Sequence, residues 1–219
     1  MIYHSRARRK ACWRRFKEGG QVSNEDLVTE LPKKTQATYD KIKDVPIKDI
    51  VIARAPVNSA IQLLVNVSLG GIHEIRDKYG IDTLWHLYLI ITLSDGSRYA
   101  IEKNQNIDIS KYHKRSNEET MQVSLSQTRN SGLTTGVLMN NAKRRMGSSF
   151  YDYDFKNNNC QRFINNLLSA SGLATSNTNG FVNQPIKDLL DAIPGRVTDV
   201  ANMITDTAAA LDKAVQILS

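Results

Sequence analysis

The sequence predicts an α+β fold with a central antiparallel sheet, helices after it, a basic arm in front and an amphipathic helix at the end. Three observations carry this. Trp85–Leu93 (WHLYLIITL) and Arg98–Lys103 (RYAIEK) are strand-like runs on either side of the turn signal Ser94-Asp95-Gly96. Two helical patterns follow, Thr134–Met146 and Gln161–Ser171. Val197, Ala201, Ile204, Ala208, Leu211, Val215 and Leu218 then recur at alternating steps of four and three, a heptad seam.

In chain order, residues 1–20 form the arm and end at Gly19-Gly20. A polar connection follows, with a short helix Thr35–Lys43 that stops before Pro46. Ile47–Ala55 (IKDIVIARA) alternates and is β-branched, hence a strand. Asn58 or Ser59 caps an expected helix Ala60–Leu69, closed by Gly70-Gly71. After the hairpin come short strands at Asn106–Ile109 and Met121–Leu125. Phe163, Ile164, Leu167 and Leu168 mark one apolar face on the helix Gln161–Ser171. Residues 174–184 are rich in Ser, Thr and Asn and are expected to be a loop. The expected units are the arm 1–20, a domain with its N-terminal extension 21–172, a linker 173–195 and the heptad helix 196–219.

The chain has 219 residues and a formal net charge of +7. Arg6, Arg8, Arg9, Lys10, Arg14, Arg15 and Lys17 supply all of the surplus, because residues 1–17 hold no acid. The rest is neutral, so the high pI describes an arm and not a basic domain surface. No apolar run approaches a membrane span, and no apolar stretch follows the basic start, so neither a transmembrane segment nor a secretory signal is expected. Scarce Ser and the interrupting Cys12 and Trp13 count against a mitochondrial presequence. One cysteine, Cys12, lies in the arm and the other, Cys160, in the body, which suits a reducing, intracellular compartment without a structural disulfide. No Cys/His spacing suggests a metal, and no glycine loop suggests a nucleotide; no cofactor is expected.

Two residues are chemically suggestive. Cys160 stands at the start of a helix behind Asn157-Asn158-Asn159, residues suited to capping. A helix N-terminus favours thiolate over thiol and offers free N–H groups to an oxyanion. His86 is the only His inside an expected strand, where an imidazole is held rigidly. A nucleophilic Cys needs such a base, and the base needs a third group to orient it. The residues alone also allow a plainer reading, a small buried Cys and a satisfied core His.

Hairpin parity bears on the third group. With a three-residue loop and Gly96 left-handed, Leu93 pairs with Ser97, Tyr88 with Glu102 and His86 with Asn104. His86, Tyr88, Glu102 and Asn104 then share one face, and Glu102 is within reach of His86. A two-residue Asp95-Gly96 turn would put Glu102 on the other face.

The strand with His86, the partner strand YAIEKN and, some sixty residues later, YDYDFKNNNCQRFINNLL together resemble the circularly permuted papain-like fold. The likeness is to the branch that includes lecithin:retinol acyltransferase and related phospholipase/acyltransferases. There an antiparallel sheet carries the His strand first and the Cys helix comes later. His86, Glu102 and Asn159-Cys160 match its motif positions, over about residues 47–172. Glu102 departs from the His usual in the acyltransferases, which weakens transfer of the specific activity. The chain also resembles versions of this domain in DNA viruses of eukaryotes, where EKN, NNCQ, a later F-[IV]-x-Q stretch (here Phe181–Gln184) and a valine/threonine-rich tail helix travel together.

The resemblance implies a cysteine hydrolase or acyltransferase: a thiol protease, a deamidase or a lipid acyl hydrolase. Cys160 would be the nucleophile, His86 the base and Glu102 its orienter. The Cys160 backbone N–H would supply part of the oxyanion hole. Tyr88, Tyr151 or Tyr153 would add a donor, with Asn159, Asn104 and Gln161 in support. The alternative is a non-catalytic, minor-capsid-type virion protein that binds through this domain. The arm, with Trp13 and Phe16 among its cations, suits nucleic acid or an anionic surface. The heptad helix suits a partner helix or a homo-oligomer axis.

Overall fold

The computed structural model describes residues 31–57, 83–125 and 132–184. The basic arm, the expected helix Ala60–Leu69 and the heptad helix 196–219 lie outside the described residues. Within them the protein is α+β. Helix α1 (Lys33–Ile42) precedes strands β1 (Ile47–Pro56), β2 (Trp85–Leu93), β3 (Arg98–Lys103), β4 (Ile107–Lys111) and β5 (Glu119–Val123). Helix α2 (Thr135–Met146), a 3₁₀ turn Gly147–Phe150, α3 (Cys160–Ala170) and α4 (Ser176–Val182) follow. The strands form one antiparallel sheet in the order β4-β3-β2-β1-β5.

β2 is central because both of its faces are apolar. Leu87, Leu89, Ile91 and Leu93 face the main core with Ile50, Ile52 and Ile101, beneath Leu138, Phe163, Ile164 and Leu167 of α2 and α3. Each such side chain, fully buried, stabilises by about 1.5–3 kcal/mol. The opposite face holds a smaller cluster of Ala53, Ala55, Tyr88, Ile90 and Ala100.

The hairpin takes the three-residue loop. Leu93 N–H donates to the Ser97 carbonyl, Gly96 has φ +83°, and Tyr88 pairs with Glu102. Asp95 closes the turn by accepting from the Ser97 N–H and hydroxyl. Helix α2 starts where Thr134 accepts from the Val137 N–H at 3.2 Å. There Gly136 lets α1 approach: its N–H donates to the Lys43 carbonyl, and an added Cβ would stand 2.8 Å from that oxygen.

The segment 174–184 corrects the sequence expectation of a loop. Thr175 and Thr178 make reciprocal capping bonds, and that capping box starts α4. Val182 is fully buried against the core, so packing outweighs the polar composition.

Candidate active site

Cys160 is the first residue of α3, and Asn159 is its N-cap. The Asn159 side chain accepts from the Arg162 N–H at 3.2 Å and donates to the Phe155 carbonyl at 3.0 Å. The approach to this cap is tied down from two sides. The buried Asn158 donates to the Ser149 and Asp152 carbonyls at 2.7 and 2.6 Å. The fully buried Lys103 donates to the Ser149 and Phe150 carbonyls at 3.0 and 2.9 Å. The Cys helix is thereby fixed to the end of β3.

The meeting of Cys160 with β2 follows from strand alternation. Leu93 N–H points toward β3, so the N–H groups of Ile91, Leu89, Leu87 and Trp85 do too. The β2–β3 register stops at Tyr88↔Glu102, and Asn104 turns away, its N–H donating to the Asn106 carbonyl. Leu87 and Trp85 are thus left beyond the ladder. Leu87 N–H donates to Cys160, and Trp85 N–H donates to Gln184 Oε1 at 3.4 Å.

His86 lies between these two residues. Its Nε2 is 2.7 Å from Glu102 Oε2, and the ring also hydrogen-bonds Cys160, which assigns Nδ1 to the sulfur. Glu102 Oε1 accepts from Arg115 at 2.9 Å. Side-chain exposure is 16% for His86 and 4% for Glu102, and Cys160 is 9% exposed. The site is nearly dry, and there charge interactions are stronger than in water.

The electrostatics favour an ion pair. For Cys160, burial alone would raise the pKa, but the His86 charge and bond, with N–H donors from Leu87 and Gln161, bring it below the usual thiol value. For His86, burial alone would lower it, but the charge and bond of Cys160, then those of Glu102, push it up to about 9. For Glu102, burial alone would raise it, but Arg115, then His86, hold it well below the usual carboxylate range. The same contacts favour thiolate, imidazolium and carboxylate over their neutral forms.

Among the expected supporting residues, the structure brings Asn159 and Gln161 to the site, the first as cap and the second as an N–H donor to sulfur. Three others are engaged elsewhere. The Tyr88 hydroxyl donates to Glu118, and burial, then that bond, raises its pKa far above the ordinary phenol. Tyr151 accepts from Lys143 at 3.0 Å. Asn104 lies in the β3–β4 turn and not opposite His86, because pairing has already ended. Tyr153 is half-buried in the segment leading to Asn158.

Arg115 and Glu118 were not legible in the sequence. Arg115 lies 4.1 Å over the Tyr88 ring and reaches Glu102, while Glu118 accepts from Tyr88 and from Tyr112, the latter at 2.7 Å. Both come from the β4–β5 connection, and no local spacing links that segment to the hairpin. Lys103 left a fainter signal, a cation at an inward position of an otherwise apolar strand face.

Among the described residues, no cluster of three or more His, Cys, Asp or Glu is arranged to hold a metal ion, and no helix is long and apolar enough to cross a membrane. Cys160 is a free thiol. Comparison with known proteins found no matching family model, no matching curated protein and no matching solved structure.

Proposed function

We propose that this chain is a cysteine hydrolase or acyltransferase acting through an acyl-cysteine, on the circularly permuted papain-like plan of the lecithin:retinol acyltransferase branch. One observation carries the reading: a single imidazole, His86, is bonded to the Cys160 thiol and to the Glu102 carboxylate. Any buried imidazole needs a partner at each ring nitrogen; here the two partners are a thiol and a carboxylate. A nucleophile, a base and an orienting carboxylate in sequence are what acyl transfer requires. The chain order supports the plan: His strand, polar residue on the next strand, then an Asn-Cys pair opening a helix.

In the proposed reaction the Cys160 thiolate attacks an acyl carbonyl carbon. The C–S bond forms and the carbonyl π pair moves to oxygen. The oxyanion collapses and expels an amine or alcohol, which takes its proton from His86. His86 then deprotonates water or an acceptor, which attacks the thioester and frees Cys160. Glu102 holds the imidazole in position and stabilises its cation; Arg115 keeps Glu102 ionised. The substrate class is an amide, such as a peptide, isopeptide or carboxamide, or a lipid ester.

Labelling with iodoacetamide followed by peptide mapping tests this. The His86→Ala chain serves as the reference. At pH 6.5 Cys160 is expected to react at least about tenfold faster in wild type than in His86→Ala, since only a depressed pKa gives thiolate there. Equal rates would contradict the reading.

A further inference from the structure

The amide of Gln184 stands at the backbone of Trp85, next to His86 in the chain, and the proposed reaction does not yet use it. Its Oε1 accepts from the Trp85 backbone N–H, and because that donor is backbone, it fixes which end of the amide is nitrogen. The Nε2 is shut off from solvent and has no acceptor among the described residues. A buried amide N–H₂ without a partner loses its hydration with nothing in return, so a stable fold rarely keeps one without a use.

The position of this group follows from the strand. Trp85 and Leu87 N–H groups point the same way from the same edge, two residues or about 6.6 Å apart. The Cys160 sulfur sits on one and the Gln184 amide on the other. Sulfur and amide are therefore neighbours along a single backbone edge, alongside His86. An acyl carbon bonded to sulfur would carry its oxygen into the interval between them.

Gln184 is also held there. Asn183 Oδ1 accepts from Asn165 Nδ2 at 2.6 Å and from Gln161 Nε2 at 3.4 Å, which ties the segment to the first turns of the Cys helix. Arg54 holds the preceding turn from the sheet side. It stacks 4.4 Å from the Phe181 ring and 4.9 Å from Trp85, donates to the Phe181 carbonyl and pairs with Glu119. The end of α4 is thus a strap from the Cys helix to the start of the His strand. Tyr88 is no rival donor, because its hydroxyl proton goes to Glu118.

We propose that Gln184 Nε2 is a catalytic hydrogen-bond donor to the oxyanion that forms when Cys160 attacks an acyl carbonyl. This rests on the Cys160–His86 reading and sharpens it. A donor on the same backbone edge as the sulfur serves an electrophile whose charge develops on oxygen. It assigns the site to planar acyl substrates, amides or esters, and not to alkyl transfer or disulfide exchange, in which no oxyanion forms.

Two reagents on the full-length chain separate the roles. Iodoacetamide alkylates the thiolate by displacement at carbon, without an oxyanion. p-Nitrophenyl acetate acylates it through an oxyanion and releases a phenolate that needs no proton. Both rates scale with thiolate fraction, so their ratio cancels any change in the Cys160 pKa. In Gln184→Ala and in Gln184→Glu, which keeps an acceptor for the Trp85 N–H, the acylation-to-alkylation ratio at Cys160 is expected to fall about 10²-fold. A ratio unchanged in both variants, whether the separate rates hold or fall together, would overturn the assignment. Wild-type Cys160 that alkylates no faster than Cys160 of His86→Ala would instead sink the underlying Cys–His pair, and the Gln184 role with it.

Discussion

His86 Nε2 lies 2.7 Å from Glu102 Oε2, and the two residues sit on the same sheet face although they are not opposite each other in the ladder. The diagonal contact exists because the Asp95-Gly96 turn takes three residues and pairs Tyr88 with Glu102. It has energetic consequences beyond orientation, since Glu102 is itself held by Arg115.

Glu102→Gln keeps the shape of the contact and removes its charge. Without the carboxylate the imidazolium loses one of the two anions that raise its pKa to about 9. The alkaline limb of the acylation profile should move to lower pH by about one unit. The plateau rate should fall by about 10²–10⁴-fold, the range of a displaced catalytic base. A profile that superimposes on wild type would exclude Glu102 from the site.

Arg115→Met removes the guanidinium from a carboxylate that stays buried. Breaking such a pair from one side should cost about 2–4 kcal/mol in urea unfolding at pH 7. The pH dependence has a definite sign. The folded pKa of Glu102 is depressed, so its contribution is present above the unfolded value of about 4.3 and is lost as pH falls through the folded value. In the variant the folded pKa rises, and acid should therefore destabilise it at a higher pH than wild type.

Lys103→Met tests the buried ammonium beneath the Cys helix. Burial lowers its pKa to about 8. The unfolded chain holds this proton up to about pH 10.4, so between these values the unfolded state binds more protons and stability rises with pH. Wild type should gain about 2 kcal/mol over the variant between pH 7 and 9.5. The His86 contribution runs the other way, present below about pH 6.5 and lost through about 9, and it cancels in the difference. A constant difference would mean that Lys103 does not titrate in this range.

The parts of the fold legible in the sequence were those governed by local pattern. Trp85–Leu93 and Arg98–Lys103 have the bounds that their residues predict, because alternation and a turn signal determine a hairpin. His86, Glu102 and Cys160 were legible for the same reason: one hairpin parity and one helix start. Arg115 and Glu118 were not, since a loop side chain reaching a strand leaves no periodic trace. Helix α4 was hidden because its capping box is made of Thr residues, which also favour loops. Gln184 could be singled out only within a motif, and its role depends on where β3 stops pairing, a tertiary fact.

The central claim is a thiolate–imidazolium pair between Cys160 and His86, and the pH profile of Cys160 alkylation tests it most directly. The Cys160 pKa is depressed and that of His86 raised to about 9. Wild type is therefore expected to alkylate with a shallower pH dependence from about pH 6 to 8 than His86→Ala, which rises across that range as an ordinary thiol with a pKa of about 8.5 or above. The gap between the two should be widest at the acid end, at least about tenfold at pH 6. Parallel profiles, with wild type itself rising tenfold per unit up to pH 8, would contradict the account.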